Sequence, residues 1–363
     1  MKIKNEEMLS FELENLYSTY GYRKAKMRRF EEYSMYMSYS DFLSSKGVIT
    51  FTGLDGKLLA LRPDVTLSIV KNTKASKTNT EKLFYNEKVY RQTGKSKEYK
   101  EISQTGVELI GKVDLYAYIE TLTLALQSLE KVSDRYVLDI SDVKVVTSVI
   151  ESFNLSKELK IQTYKLLKAK NYDDFLKLAK DNSLSEKEVL AFETLCNLSG
   201  IITKEEVKPL ILNEKCKSAV EYFIKLLSIF SNTVYQDKIN VNFSIEGNAT
   251  YYNGVIFNGY IESIPKVVLS GGRYDKLLEK FGREVGAIGF AVYLGEIERF
   301  IESETVYTDI LIVYSEKIEP TVLIEKINEY IEKGLSVRAD CFIPKNFAYK
   351  KLIKLNEKGE EVC

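Results

Sequence analysis

The sequence predicts an α+β fold: an antiparallel sheet flanked by helices, with a helical insertion and a small C-terminal α/β unit. Three observations predict it. Strands follow one another through short turns, as in "GVIFNGYIES" and "KVVLSGG", which is local antiparallel pairing and not parallel crossover. Helical periodicity falls between groups of strands. Residues 152–235 change character, being rich in Lys, Leu and Glu with a single proline, Pro209.

Residues 10–20 read as a helix, with Phe11, Leu13, Leu16 and Tyr17 crowding one side. Residues 46–62 read as a hairpin: "VITF", a Gly53–Gly56 turn, then "KLLALR". Pro63 ends that strand, and Asp64 is an acceptable N-terminal carboxylate for a following helix. "EKLFYNEKVYRQ" and "EISQTGVELIG" read as strands around the charged loop "GKSKEY". From Leu115 to Leu129 apolar residues recur at 115, 119, 122, 126 and 129, which is a helix. "RYVLDIS" is a short strand, 152–235 several helices, and the 254–272 hairpin is expected to turn at Ile264–Pro265. "AIGFAVYL" is an apolar strand. Residues 306–363 restart as a βαβ-like unit: "DILIVYS", a helix over 319–333 stopped by Gly334, then "LSVRAD". The expected domains are a core over 1–305, with the insertion at 152–235, and a unit over 306–363.

Composition excludes several classes. Lys plus Arg equals Asp plus Glu at 52 each, so there is no bulk basic field, which argues against a dedicated nucleic-acid binder. The N-terminus is charged and lacks the apolar stretch of a signal peptide. No apolar run approaches the roughly 18 residues of a membrane span. Cys196, Cys216, Cys341 and Cys363 are far apart and form no CxxC pair, so reduced thiols in a cytoplasm are expected, with no metal and no cofactor. The chain has no histidine. That removes the commonest general base and metal ligand. A protein made when histidine is scarce benefits from needing none.

Four segments concentrate polar residues among apolar neighbours. They are "LRPDVT" at 61–66, "VYRQ" with "SQTGVELIG" at 89–92 and 103–111, "TYY" ending at Tyr251 and Tyr252, and "SGGRYD" at 270–275. Singly each has an ordinary reading as a strand end, a cap or a hairpin exit. Their order and spacing together resemble the catalytic core of histidyl-tRNA synthetase over about residues 10–300. The resemblance implies a class II aminoacyl-tRNA synthetase-like antiparallel sheet.

It also implies a nearly complete amino-acid pocket. Asp64, Thr66 and Gln104 would take a ligand's α-ammonium. Glu108 and Tyr252, beside Tyr251, would meet the imidazole nitrogens. Tyr274 would close over the ring, and Arg91 would face the carboxylate. The chemistry fits, because an ammonium needs acceptors, a buried imidazole needs a partner for each nitrogen, and a guanidinium pairs a carboxylate in bidentate fashion.

The sequence departs from the family where amino-acid activation is served. The arginine four residues before the first tyrosine becomes Gly247. The motif-three arginine falls on Glu296 in the gap-free reading, or on Arg299 after a three-residue insertion. The second motif-two arginine becomes Lys100, and the motif-one proline becomes Arg28. Losing one transition-state donor costs about 10²–10³ in rate. Binding kept and activation stripped resembles the regulatory-subunit family of ATP phosphoribosyltransferase. That resemblance implies a non-catalytic subunit with L-histidine as regulatory ligand. It implies a homodimer within a hetero-octamer shared with the short-form catalytic subunit. An active histidyl-tRNA synthetase and a tRNA- or histidine-sensing module remain the alternatives, and whether ATP or AMP binds stays open.

Overall fold

An eight-stranded sheet organises the larger part of the chain. Its strands run in the order Arg23–Lys24, Glu81–Thr93, Glu98–Gly111, Gly286–Tyr293, Ile264–Arg273, Val255–Ile261, Tyr136–Asp142 and Ile239–Val241. The six inner strands are antiparallel to their neighbours. The two short edge strands pair in parallel. This computed structural model describes residues 6–43, 47–93, 98–245, 251–298, 300, 306–345 and 347–362. The chain divides into two compact units, Met1–Phe300 and Ile301–Cys363.

The sheet has two unlike faces because successive side chains on a strand point opposite ways. On one face lie the helices Glu6–Thr19 and Leu115–Val132. Leu9, Leu13 and Tyr17 form the buried stripe of the first. Tyr17 packs edge-on against Phe290, and its hydroxyl meets Ser128 Oγ of the second helix at 3.0 Å. That second helix is capped by Asp114, which accepts from the Ala117 N–H. On the opposite face the helix Val65–Asn72 buries Val65, Leu67, Ile69 and Val70 in one cluster with Tyr85, Val89, Leu277 and Leu278.

Most expected elements form, with informative shifts. The first helix begins at Glu6, earlier than residue 10. The 46–62 hairpin pairs Thr50–Thr52 with Leu58–Leu61, and Gly56 takes the positive φ of 79° that its turn requires. Asp64 caps the next helix, accepting from the Leu67 N–H at 2.9 Å. The 254–272 hairpin turns at Glu262–Ser263, because Ile261 pairs with Ile264. Ile264 is buried and starts the return strand, and the irregularity that follows accommodates Pro265, which has no N–H for the ladder. Residues 94–97 of the charged loop lie outside the described residues.

Helices Val143–Glu151, Lys157–Lys168, Tyr172–Asp181, Glu186–Asn197 and Glu214–Phe230 follow the Tyr136–Asp142 strand. Ser156, Asn171, Ser185 and Asn213 cap the last four, and Ser185 with Glu188 makes a full capping box. Phe175 stacks on Phe192 at 3.6 Å. The chain rejoins the sheet at Ile239–Val241, where Asn240 and Asn242 donate to the two carboxylate oxygens of Asp139.

The second unit has the strand order Val337–Asp340, Val306–Tyr314, Ala348–Leu355, Glu361–Val362, with one helix at Pro320–Ile331. The first three strands are parallel and the last is antiparallel. The βαβ element is the expected one. The strand "AYKKLIKL" escaped the sequence reading because its lysines interrupt the apolar alternation.

Arg62 joins the small and large sheets of the first unit. Its side chain is fully buried. It donates to Glu87 Oε2 at 2.5 Å and to the carbonyls of Arg28 and Lys88, both at 3.0 Å. Removing one partner of a fully buried pair costs about 3–5 kcal/mol, and because the Glu87 side chain is 24% exposed the low end of that range applies here. Arg62→Ala should therefore lose that much stability in urea unfolding. A loss below about 1 kcal/mol would show that water or a neighbour replaces the guanidinium.

Candidate functional site

The site lies on the sheet face that carries the Val65–Asn72 helix. Alternate positions of four adjacent strands supply it: Tyr85 and Arg91, Gln104 and Glu108, Ser270 with Tyr274 just beyond its strand, and Gly289 with Tyr293. Tyr251 and Tyr252 enter from the segment before the Val255–Ile261 strand, and Asp64 and Thr66 from the helix start. All eight residues expected from sequence, Asp64, Thr66, Arg91, Gln104, Glu108, Tyr251, Tyr252 and Tyr274, line this one cavity of about 200 Å³. That is below the roughly 300–1,000 Å³ typical of drug-sized ligands, so the cavity suits one small molecule.

Glu108 is the centre of the arrangement and is 2% exposed. Tyr274 donates to its Oε2 at 2.5 Å, and Thr66 donates to its Oε1 at 2.8 Å. Burial raises its carboxyl to about 8, outweighing the two hydrogen bonds that favour the charged form. Gly289 is its cross-strand partner, and a Cβ there would overlap Glu108 Oε2. Glycine is required at that register so that the carboxyl can lie across the neighbouring strand. Gly272 plays the same part beneath Tyr252, where a Cβ would sit 2.8 Å from the ring.

Burial also raises Asp64, while the Leu67 N–H and nearby Arg91 draw it back down. One Asp64 oxygen is committed to the helix cap. The aromatic wall is continuous: Tyr251 meets Tyr252 edge-on at 4.7 Å, Tyr274 at 5.6 Å and Phe42 at 5.9 Å. Arg91 is the one cation among the described lining residues. The cavity thus offers a carboxylate for a cationic group, a guanidinium for an anionic one and a second carboxyl for a polar ring between tyrosines.

Sequence reasoning missed Tyr85, Ser270 and Tyr293, which line the same cavity. Ser270 carried a readable signal, since it stands two and four residues before Gly272 and Tyr274 and so shares their strand face. Ser270 lies beside the phenols of both Tyr252 and Tyr293. Among the departures, Gly247 and Arg299 lie outside the described residues. Glu296 is outside the cavity lining and pairs with Lys266 at 2.7 Å. Lys100 stands opposite Arg91 in the strand ladder and is exposed. Among the described residues no group of Cys, Asp and Glu is placed to hold a metal ion.

A family model described as Histidyl-tRNA synthetase matches residues 1–297. The chain belongs to that family, and its central sheet with flanking helices is the class II synthetase fold. Within the family it is similar to proteins named for regulation. It is 28% identical over 295 residues to the ATP phosphoribosyltransferase regulatory subunit of Bacillus cereus (strain AH187), covering 78% of this chain and 69% of that one. Its fold is similar to a crystal structure from Bacillus halodurans described as an ATP phosphoribosyltransferase regulatory subunit/histidyl-tRNA synthetase. The TM-score is 0.76 at 24% identity, covering 97% of this chain and 94% of that one. It is also similar to a chain of the ATP phosphoribosyl transferase (HisG:HisZ) complex from Thermotoga maritima. There the TM-score is 0.63 at 17% identity, covering 79% and 96%.

The raised Glu108 carboxyl makes stability depend on pH. Its ordinary value is 4.5 and its folded value about 8. A group raised on folding contributes stability that is complete below the lower value and lost as pH climbs through the higher one. Relative to Glu108→Gln, the natural protein should lose up to about 1.4 kcal/mol per pH unit across that window. Urea titrations at pH 5, 6.5 and 8 measure this, and parallel curves for the two proteins would mean that Glu108 is already ionised.

Proposed function

We propose that this chain is the non-catalytic regulatory subunit of an ATP phosphoribosyltransferase and that its cavity binds L-histidine. Catalysis belongs to a separate short-form subunit, and bound histidine makes the complex feedback-inhibited. One observation carries the reading. The described lining brings together acceptors suited to an ammonium, a guanidinium suited to a carboxylate and polar partners suited to an imidazole, and Arg91 is the one cation among those described residues.

The fit is chemical. Asp64, Thr66 and Gln104 take the α-ammonium, and Arg91 takes the carboxylate. Glu108 and Tyr252 face the imidazole nitrogens, with Tyr251 and Tyr274 against the ring. Glu108 held protonated near neutral pH can donate to a neutral imidazole or pass its proton and pair with the imidazolium. The Bacillus relatives named as regulatory subunits, and the two-protein complex from Thermotoga maritima, support the partner. The assembly we propose is a homodimer at the heart of a cytoplasmic hetero-octamer. No described helix is long and apolar enough to cross a membrane.

Feedback needs histidine to bind the inhibited state of the complex more tightly than the active one. A tenfold difference between states needs about 1.4 kcal/mol.

Calorimetric titration with L-histidine, followed by assay with the catalytic subunit, tests this. Saturable binding should weaken about tenfold or more in Glu108→Ala and several-fold in Tyr252→Phe, as expected for losing a charged and a neutral hydrogen-bond partner. Histidine should then inhibit the reconstituted transferase, and the chain alone should not exchange pyrophosphate into ATP. Histidine-dependent exchange would instead make it an active synthetase. Inhibition that both variants leave unchanged would move the regulatory site elsewhere.

A further inference from the structure

A second cavity, of about 660 Å³, opens on the other side of the wall behind the tyrosines. Its volume falls within the roughly 300–1,000 Å³ of small-molecule sites. Arg273 and Tyr118 form its inner part. Tyr118 is 1% exposed, and Arg273 is half-buried. Lys144, Lys215 and Lys276 are exposed and surround its mouth. Asp142 is the one carboxylate among the described lining residues, and its Oδ1 already accepts the Lys144 N–H at 2.6 Å as a helix cap.

Arg273 is well anchored and still has donors to offer. Its Nε donates to Asp275 Oδ2 at 2.7 Å and its Nη1 to the Tyr118 hydroxyl at 3.0 Å. Its Nη2 donates to no described residue. A purely structural role for Arg273 leaves the lysines unexplained. Lys144 and Lys215 have no ion-pair partner among the described residues, although they come from separate helices, Val143–Glu151 and Glu214–Phe230. Four cations meet here against two carboxylates, Asp275 paired with Arg273 and the capped Asp142, which leaves the cavity net positive. Tyr222 sits beside Tyr118 as an edge-on pair at 6.1 Å, giving the site an aromatic side.

We propose that this cavity binds a small phosphate-bearing molecule, its phosphate held by Arg273 and the lysines and its remainder lying against Tyr118 and Tyr222. A planar guanidinium with free donors suits phosphate oxygens, and lysines add mobile charge around it. The wall between the two cavities is thin. Asn253 and Arg273 line the second cavity, and their chain neighbours Tyr252 and Tyr274 line the first. Asp275 ties the wall together: it accepts from Arg273 and from Asn253 Nδ2 at 3.1 Å, and its N–H donates to Asn253 Oδ1 at 3.0 Å. Phosphate bound at Arg273 therefore acts on a wall whose two segments also carry Tyr252 and Tyr274. This coupling, unlike the phosphate site itself, rests on the reading of the first cavity as a histidine site.

Titration of the purified full chain with inorganic pyrophosphate, AMP and ATP tests the proposal. At least one probe should bind saturably, and binding should weaken about tenfold or more in the Lys144→Ala, Lys215→Ala double variant. Both lysines are exposed, so the variant should keep the natural melting temperature. Pyrophosphate binding would show that the phosphates suffice, and binding of the nucleotides alone would show that the ring is read too. No saturation by any probe up to about 1 mM, or binding kept by the double variant, would overturn the site. With the probe saturating, histidine affinity should shift about fivefold or more. An unchanged affinity would overturn the coupling. If histidine fails to bind at all, the histidine reading fails and the phosphate titration still decides the second site.

Discussion

The larger unit depends on one buried carboxyl. Glu108 sits in the middle of the sheet, receives Tyr274 and Thr66, and lies across Gly289 of the neighbouring strand. Its partners come from the strand hairpin, the capped helix and the adjoining strand, so one side chain sets their mutual placement. A carboxyl in such a position carries a desolvation cost, which hydrogen bonds offset only in part. The raised titration is the sign of that imbalance. A group held at such a cost, facing an enclosed space, is better suited to receiving a ligand than to stabilising the empty fold.

Arg62 works in the opposite sense. It is as deeply buried, yet its Nη1 and Nη2 are held by Glu87 and two main-chain carbonyls, its Nε is left without a partner among the described residues, and it lies outside the cavity lining. Two residues later in the chain, Asp64 shares its carboxylate between a helix cap and the cavity. A short run, Arg62-Pro63-Asp64, thus fixes a strand end, starts a helix and delivers a binding group. The joint is stiff because each of these residues has a separate structural obligation.

Binding and activation are separable because they use different groups. An amino acid needs a few convergent partners in a small, enclosed site. Joining it to ATP needs further cations placed where charge moves in the transition state. The cavity has the size for the first, and Arg91 is the one cation among its described lining residues.

The fold class was legible in the sequence because alternation and turn residues are local signals. The antiparallel hairpins, the capped helix at Asp64 and the βαβ element all come from patterns within a few residues of one another. Eight residues of the first cavity were reached by a different route, through motif order, while Tyr85, Ser270 and Tyr293 were missed, although strand parity with Tyr274 marks Ser270. Other features were not legible. The 254–272 hairpin turned two residues early because Ile264 had to be buried against Ile261, a demand of packing and not of turn chemistry. The strand Ala348–Leu355 was hidden by its lysines. No sequence pattern revealed the glycine at 289 as the space for Glu108, or the meeting of Arg273 with lysines from two distant helices. The sequence by itself determined the local elements and which motif residues to look for at the first site. Only the tertiary structure decided which groups are desolvated, which share a wall and which charges converge, because those properties depend on what lies across a strand or behind a helix, not on what lies next in the chain.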